Sequence, residues 1–224
     1  MSSLALYHRD GACSMAPHIR LLHLPIPFTA VPMIDGPDGY QAADGSFSHA
    51  DYRKISPAGF VPALVVDGQA LTDNAAMLTY LAGLRQDEGL GGSDEWERAK
   101  IGEWLAWLAG TLHGRGFGGL WRPGRYSDDE TMWPSIEAKA RGFILECFAR
   151  IEAGIGGKPY AVGERLTVVD IMLHTFWRWS RALSLSQEDM VARYPGWAKV
   201  MAKVEKLDSV RSAMAAEGQE LCFT

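Results

Sequence analysis

Apolar and polar positions come in short alternating bursts over the first third of the chain and then settle into helical spacing. Leu4 to Tyr7 and Phe28 to Met33 predict two strands, with a helix from about Ser14 to Leu24 between them. A polar, glycine-rich stretch from Asp35 to Ser48 predicts a loop. Pro62 fixes its own φ and keeps Val61 extended. Beyond it, Ala63 to Val66 and Ala70 to Leu71 predict a hairpin around the turn Asp67-Gly68. Thr72, Asp73 and Asn74 then supply capping groups for an apolar helix.

Gly83 to Gly92 holds four glycines and no periodic apolar face, which predicts a connecting segment. Everything beyond reads as helical. Asp94 with Glu97 resembles a capping box, and Ile101, Trp104, Leu105, Leu108 and Leu112 recur on one helical face. Further helices are expected over 135–153, 167–183 and 197–207. Thr167 with Asp170 is a second capping signal, best read as structural. The run Gly114 to Gly119 lacks the G-K-[ST] ending of a phosphate loop and predicts a helix break where close packing is needed. The fold class that follows is a small α/β unit succeeded by an all-helical one.

Composition narrows the function classes. A formal charge of −5 gives no electrostatic reason to expect nucleic acid. No segment approaches a membrane span and no signal peptide is expected. Cys13, Cys147 and Cys222 are too widely spaced for a disulfide framework or a metal knuckle, so a reducing cytoplasm without a bound metal is expected. All eight tryptophans lie between Trp96 and Trp197, which sets the helical part apart. HExxH, GxGxxG and CxxC are absent.

Candidate chemistry begins at Cys13, after a strand and at the start of a helix. Helix-terminal amides favour a thiolate there, whereas an isolated cysteine is more often a small buried filler. Ser14 is either an N-cap or a hydrogen-bond donor to a bound sulfur. Tyr7 reads first as a half-buried strand residue and second as a donor to that sulfur. His113 reads locally as a surface group complementing a helix C-terminus. A proline opening a strand beside a helix N-terminus, at Val61-Pro62 and Asp73-Asn74, suits a small peptide-like ligand with a free carboxylate.

Together these residues resemble the cytosolic glutathione S-transferases, most closely their bacterial, cysteine-containing beta-type branch. The resemblance runs along nearly the whole chain. L-Y-H-x-x-G-A-C-S-M-A-P-H-I is similar to that branch's opening, and S-P-A-G-F-V-P-A-L to the loop leading to its cis-proline. L-T-D-N-A-A-M is similar to its γ-glutamyl-binding segment, and T-L-H-G-R-G-F to the helix bearing its active-site histidine. K-P-Y-A-V-G-E-R-L-T-V-V-D-I resembles its C-terminal capping box.

The resemblance implies a thioredoxin-like domain over 1–84, a linker over 85–92 and an all-helical domain over 93–224 carrying the site for a small apolar electrophile. It implies a cytoplasmic, homodimeric transferase of the detoxification type, with glutathione as cosubstrate, that transfers glutathione to an electrophile or carries out glutathione-dependent thiol transfer. Cys13, Ser14 and His113 would face the sulfur. Tyr7, Val61, Pro62, Asp73 and Asn74 would bind the rest of the glutathione. The family commonly has Glu or Gln followed by Ser where this chain has Asp73-Asn74. The branch often has a lysine after its second strand, where this chain has a lysine-free loop, and an asparagine where this chain has Ala106. These departures leave room for a non-catalytic binding or regulatory protein on the same scaffold, or for a dedicated glutathione-dependent isomerase, dehalogenase or lyase.

Overall fold

The computed structural model describes residues 3–223. Strand β1 (Leu4–His8) runs through helix α1 (Met15–His23) into β2 (Thr29–Gly36), which pairs with β1 in parallel. The β2 strand turns back as β3 (Gly39–Ala42), and a four-residue helix α2 (His49–Tyr52) leads to the hairpin β4 (Ala63–Val66) and β5 (Gln69–Leu71). The sheet order is β3-β2-β1-β4-β5, with β4 antiparallel to β1. Helix α3 (Asn74–Gly83) closes this thioredoxin-like part. The hairpin turn places Asp67 at φ 48° and Gly68 at φ 82°, as a two-residue turn with both centres left-handed requires.

The expected polar loop over 35–48 is instead partly sheet. Asp35 faces Tyr40 and Met33 faces Ala42, so β2 continues to Gly36 and returns at Gly39. The alternation was hidden because only Tyr40 and Ala42 of β3 face the interior. Gly39 sits at φ 130°, and a Cβ there would fall 2.5 Å from the His49 ring, so only glycine fits this turn. Helix α2 was too short to leave a periodic signal. It is started by Ser48 and Asp51, whose side chains each accept from the other's backbone amide.

The remaining elements are helical. They comprise α4 (Glu95–Trp107), α5 (Gly118–Trp121), α6 (Trp133–Ile155), α7 (Val168–Trp179), α8 (Gln187–Arg193), α9 (Pro195–Val204) and α10 (Asp208–Ala216). Between α4 and α5 the chain does not break. Over Leu108–Phe117 it widens into a π-type helix with i→i+5 hydrogen bonds, so one rod runs from Glu95 to Trp121. The glycines do provide the close packing expected of them. A Cβ on Gly116 would come within 3.0 Å of Ile144, and one on Gly119 within 3.1 Å of Ala140, both on α6.

Helix α1 is the shared wall. Met15, Ala16 and Ile19 join the core of the helical part, built around Phe117, Phe148, Trp177 and Trp197. Leu21, about half a turn on and so on the opposite face, joins Leu4, Leu6, Leu64, Met77 and Leu81 under the sheet. The segment after α3 is packed rather than loose. Leu90 is buried and its carbonyl accepts from the Val168 amide at 3.0 Å, while Glu88 pairs with the fully buried Arg20 of α1 at 2.8 Å. Among the described residues, no helix is long and apolar enough to cross a membrane.

The start of α7 depends on one carboxylate. Asp170 Oδ2 accepts from the amide (2.8 Å) and hydroxyl (3.0 Å) of Thr167, and Oδ1 accepts from the Ala161 amide at 2.9 Å. Burial nevertheless pushes the Asp170 carboxyl up to about 6, against those three donors. Asp170→Ala would leave two buried amides and a hydroxyl without an acceptor. It is expected to cost about 2–4 kcal/mol in urea unfolding. A loss under about 0.5 kcal/mol, the scale of an ordinary surface change, would contradict this account.

Candidate functional site

One cleft of about 780 Å³ opens between the sheet edge and the widened helix. Cys13, Val61, Pro62, Asp73, Asn74 and His113 all line it, although they come from four separate stretches of chain. The Val61-Pro62 peptide is cis.

Cys13 lies in the tight turn between β1 and α1. Its side chain is buried, and the Sγ–H donates to the Val61 carbonyl at 3.6 Å. Proximity to a helix start suggested a depressed thiol pKa. Here burial dominates and pushes the thiol up to about 12, outweighing the nearby amides and the Arg122 charge. The group is therefore a neutral thiol at pH 7, a hydrogen-bond donor rather than a thiolate.

Two expected site residues do not line the cleft. Ser14 is fully buried, and its hydroxyl donates to the Arg9 carbonyl at 3.0 Å and accepts from the Arg9 amide at 3.1 Å. Its oxygen closes the Cys13 turn, so it neither caps α1 nor faces a ligand sulfur. Tyr7 is half-buried on β1, its ring centroid 5.6 Å from that of Tyr52 and 5.9 Å from that of Phe47. It is a packing residue of the sheet, which was the first reading of its position.

The start of α3 divides its work differently from expectation. Asp73 Oδ1 caps the helix, accepting from the amides of Ala75 (2.9 Å) and Ala76 (3.2 Å). Asn74 was expected to offer a donor to a carboxylate. Its Nδ2 instead donates to the Cys13 carbonyl at 2.9 Å, tying α3 to the turn. Its buried Oδ1 has no partner among the described residues.

His113 is not a surface group. It sits within the widened helix with Trp179 at 5.3 Å and Phe176 at 6.4 Å between ring centroids. Burial first, then the positive charges of Arg122 and Arg125, push it down to about 4. It is neutral at physiological pH.

Several cleft residues had no signal in the sequence. Arg122 and Arg125 both lay their guanidinium over the Phe60 ring, at 4.6 and 4.7 Å from its centroid. Trp179 Nε1 donates to the Gly11 carbonyl at 2.9 Å, behind Cys13. Nothing in the spacing of Arg122 and Arg125 along the chain pointed to Phe60 in the other half of the chain.

One cluster has metal-ligand chemistry. His8, His18 and Glu217 each bring a potential ligand atom within 4.8 Å of the others, all buried. Glu217 Oε1 is 2.7 Å from His18 Nδ1, and Oε2 accepts from the Gly11 amide at 2.8 Å. The carboxylate thus fastens the end of α10 to the Cys13 turn.

A histidine whose pKa falls from about 6.5 in the unfolded chain to about 4 in the fold is protonated preferentially when unfolded. The stability gained by keeping His113 neutral is complete above about pH 6.5 and is lost as pH falls toward 4. His113→Gln is expected to flatten the stability-against-pH slope over that window, measured by urea midpoints at several pH values. An unchanged slope would place the titration elsewhere.

The arrangement has known relatives. Residues 12–84 match the model of the "Glutathione S-transferase, N-terminal domain" family, and residues 136–203 that of the "Glutathione S-transferase, C-terminal domain". A glutathione S-transferase, GST-4.5, of Xanthomonas campestris is 30% identical over 96% of this chain and 99% of its own length. A bacterial beta-class glutathione S-transferase of Sphingomonas chungbukensis superposes with a TM-score of 0.80 at 28% identity, covering 96% of this chain and 100% of that one. A sphingomonad glutathione S-transferase solved in complex with glutathione gives the same TM-score, 0.80, with the same identity and coverage, 28%, 96% and 100%. The thioredoxin-like sheet, the all-helical second half and these matches agree: the chain belongs to the glutathione S-transferase family.

Proposed function

We propose that this protein binds glutathione in the cleft and transfers it to a small apolar electrophile. The observation that carries the reading is that one cavity joins the Cys13 thiol, the Val61-Pro62 edge and the start of α3. A tripeptide needs those three features in a row: a partner for its sulfur, a backbone edge for its middle residue, and polar groups for its free amino-acid end. Asp73 keeps an exposed carboxylate at the α3 start for an ammonium.

Cys13, as a protonated thiol, turns its single S–H from the Val61 carbonyl to the glutathione sulfur and so favours its thiolate. That thiolate attacks the electrophilic carbon, the leaving group departs with its electron pair, and the thiol proton passes to solvent. Phe117, Trp121, Trp179 and neutral His113 line the side facing the helices and suit an apolar acceptor. On this reading 1–84 forms the glutathione half, 85–92 the connection and 93–224 the acceptor half. The three free cysteines favour a reducing cytoplasm, and family membership favours a homodimer.

Calorimetry with glutathione and a conjugation assay with a neutral aryl halide test the proposal. Binding together with conjugation above the uncatalysed rate is expected; the absence of both would overturn it. Cys13→Ala is expected to fold normally and to lose roughly tenfold in kcat/KM, the worth of one hydrogen bond to a charged sulfur. Because the Cys13 thiol lies near 12, the pH profile of the wild type reports the bound glutathione thiol, with no additional ionisation below pH 9 contributed by Cys13.

A further inference from the structure

The cleft carries more positive charge than its protein neighbours balance. Arg9 is paired with Asp35 at 2.7 Å, which leaves the Asp73 carboxylate as the one other negative side chain of the cleft lining against Arg122 and Arg125. Arg122 and Arg125 make no ion pair among the described residues. Like charges so placed repel, and Arg125 is held below its ordinary pKa by burial and then by Arg122.

What holds them together is Phe60. The partly exposed ring lies just before Val61-Pro62, on the other half of the protein, and both guanidiniums rest over it. Arg122 also donates to the Tyr40 hydroxyl at 3.4 Å. A guanidinium stacked on an aromatic ring keeps its in-plane N–H groups for other partners, and that edge matches a carboxylate in bidentate geometry.

We propose that Arg122 and Arg125, clamped on Phe60, form a carboxylate subsite of the cleft. This rests on the reading that glutathione transfer takes place there, and it adds an anionic requirement to the ligand set. The carboxylate has two sources, the glycyl end of glutathione or an acid group on the acceptor. The surroundings do not favour a neutral ligand end, because both guanidiniums would then remain without an ion pair.

The test uses the intact protein and the double variant Arg122→Gln/Arg125→Gln. Arg122→Lys serves as a milder change that keeps the charge but loses the fork, and circular dichroism checks that each variant is folded. Four probes are compared by calorimetry or KM: glutathione, glutathione esterified at its glycyl carboxylate, a neutral dinitrophenyl halide, and the same halide with one nitro group replaced by carboxylate.

If glutathione supplies the anion, the double variant loses roughly ten- to a hundredfold affinity for glutathione while the ester binds both proteins alike. If the acceptor supplies it, glutathione binding is unchanged and the KM rise of similar size appears only for the carboxylated halide. Both outcomes support the subsite. Equal effects, within about twofold, on charged and blocked probes would overturn it, since a factor that small is under half a kcal/mol.

The outcome stays readable if the proposed function itself fails. A wild type that binds no glutathione, yet binds the carboxylated halide at least tenfold tighter than the double variant does, keeps the subsite and discards the transferase reading.

Discussion

The turn from Arg9 to Ser14 is the constraint on which the cleft depends, and almost none of its rigidity is its own. Ser14 closes it from within. Asn74 holds the Cys13 carbonyl from α3, Trp179 the Gly11 carbonyl from α7, and Glu217 the Gly11 amide from α10. Each of these anchors satisfies a backbone group that would otherwise be stranded near a buried surface. The position of the thiol is therefore a property of both halves at once. Helix α1, continuing from this turn, is buried on one side by the sheet and on the other by the helices.

That arrangement decides the electrostatic character of the site. Dryness around Cys13 and His113 keeps both uncharged at neutral pH, the one raised and the other lowered by the same burial. The protein then contributes no strong base and no nucleophile of its own. It contributes a donor and a positive field from the arginines. Such a surface stabilises negative charge on a ligand.

The fold was legible where signals were local. The strand–helix–strand start, the Asp67-Gly68 hairpin and the caps at Asp73, Asp94 and Thr167 each depend on residues within a few positions of one another. Strand β3 was not, because the polar side of its alternation dominates a short edge strand. Of the expected site residues, six line one cleft, whereas Ser14 and Tyr7 are turned to internal bonding and packing. Their neighbours in sequence gave no way to tell inward from outward. Arg122, Arg125 and Phe60 were missed for the opposite reason, since their meeting exists only once the two halves are packed. The expectation that the glycine run breaks a helix failed because glycine tolerates widening as well as breaking.

That widening means the helix facing Cys13 is measured in length rather than in residue type. A π-type stretch accommodates more residues per turn than an α-helix, so the seven-residue interval from Ala106 to His113 does not return to the same face. Removing a single residue between 108 and 117, with the geometry of the remaining ladder kept, would shorten the winding by one residue. Everything downstream would then turn by about 100° relative to α4, the angle that one residue subtends in an α-helix. Arg122 would leave Phe60 without any change at either position. In this chain an insertion or deletion within one helix is a means of retuning which ligand the cleft accepts, with every lining residue kept.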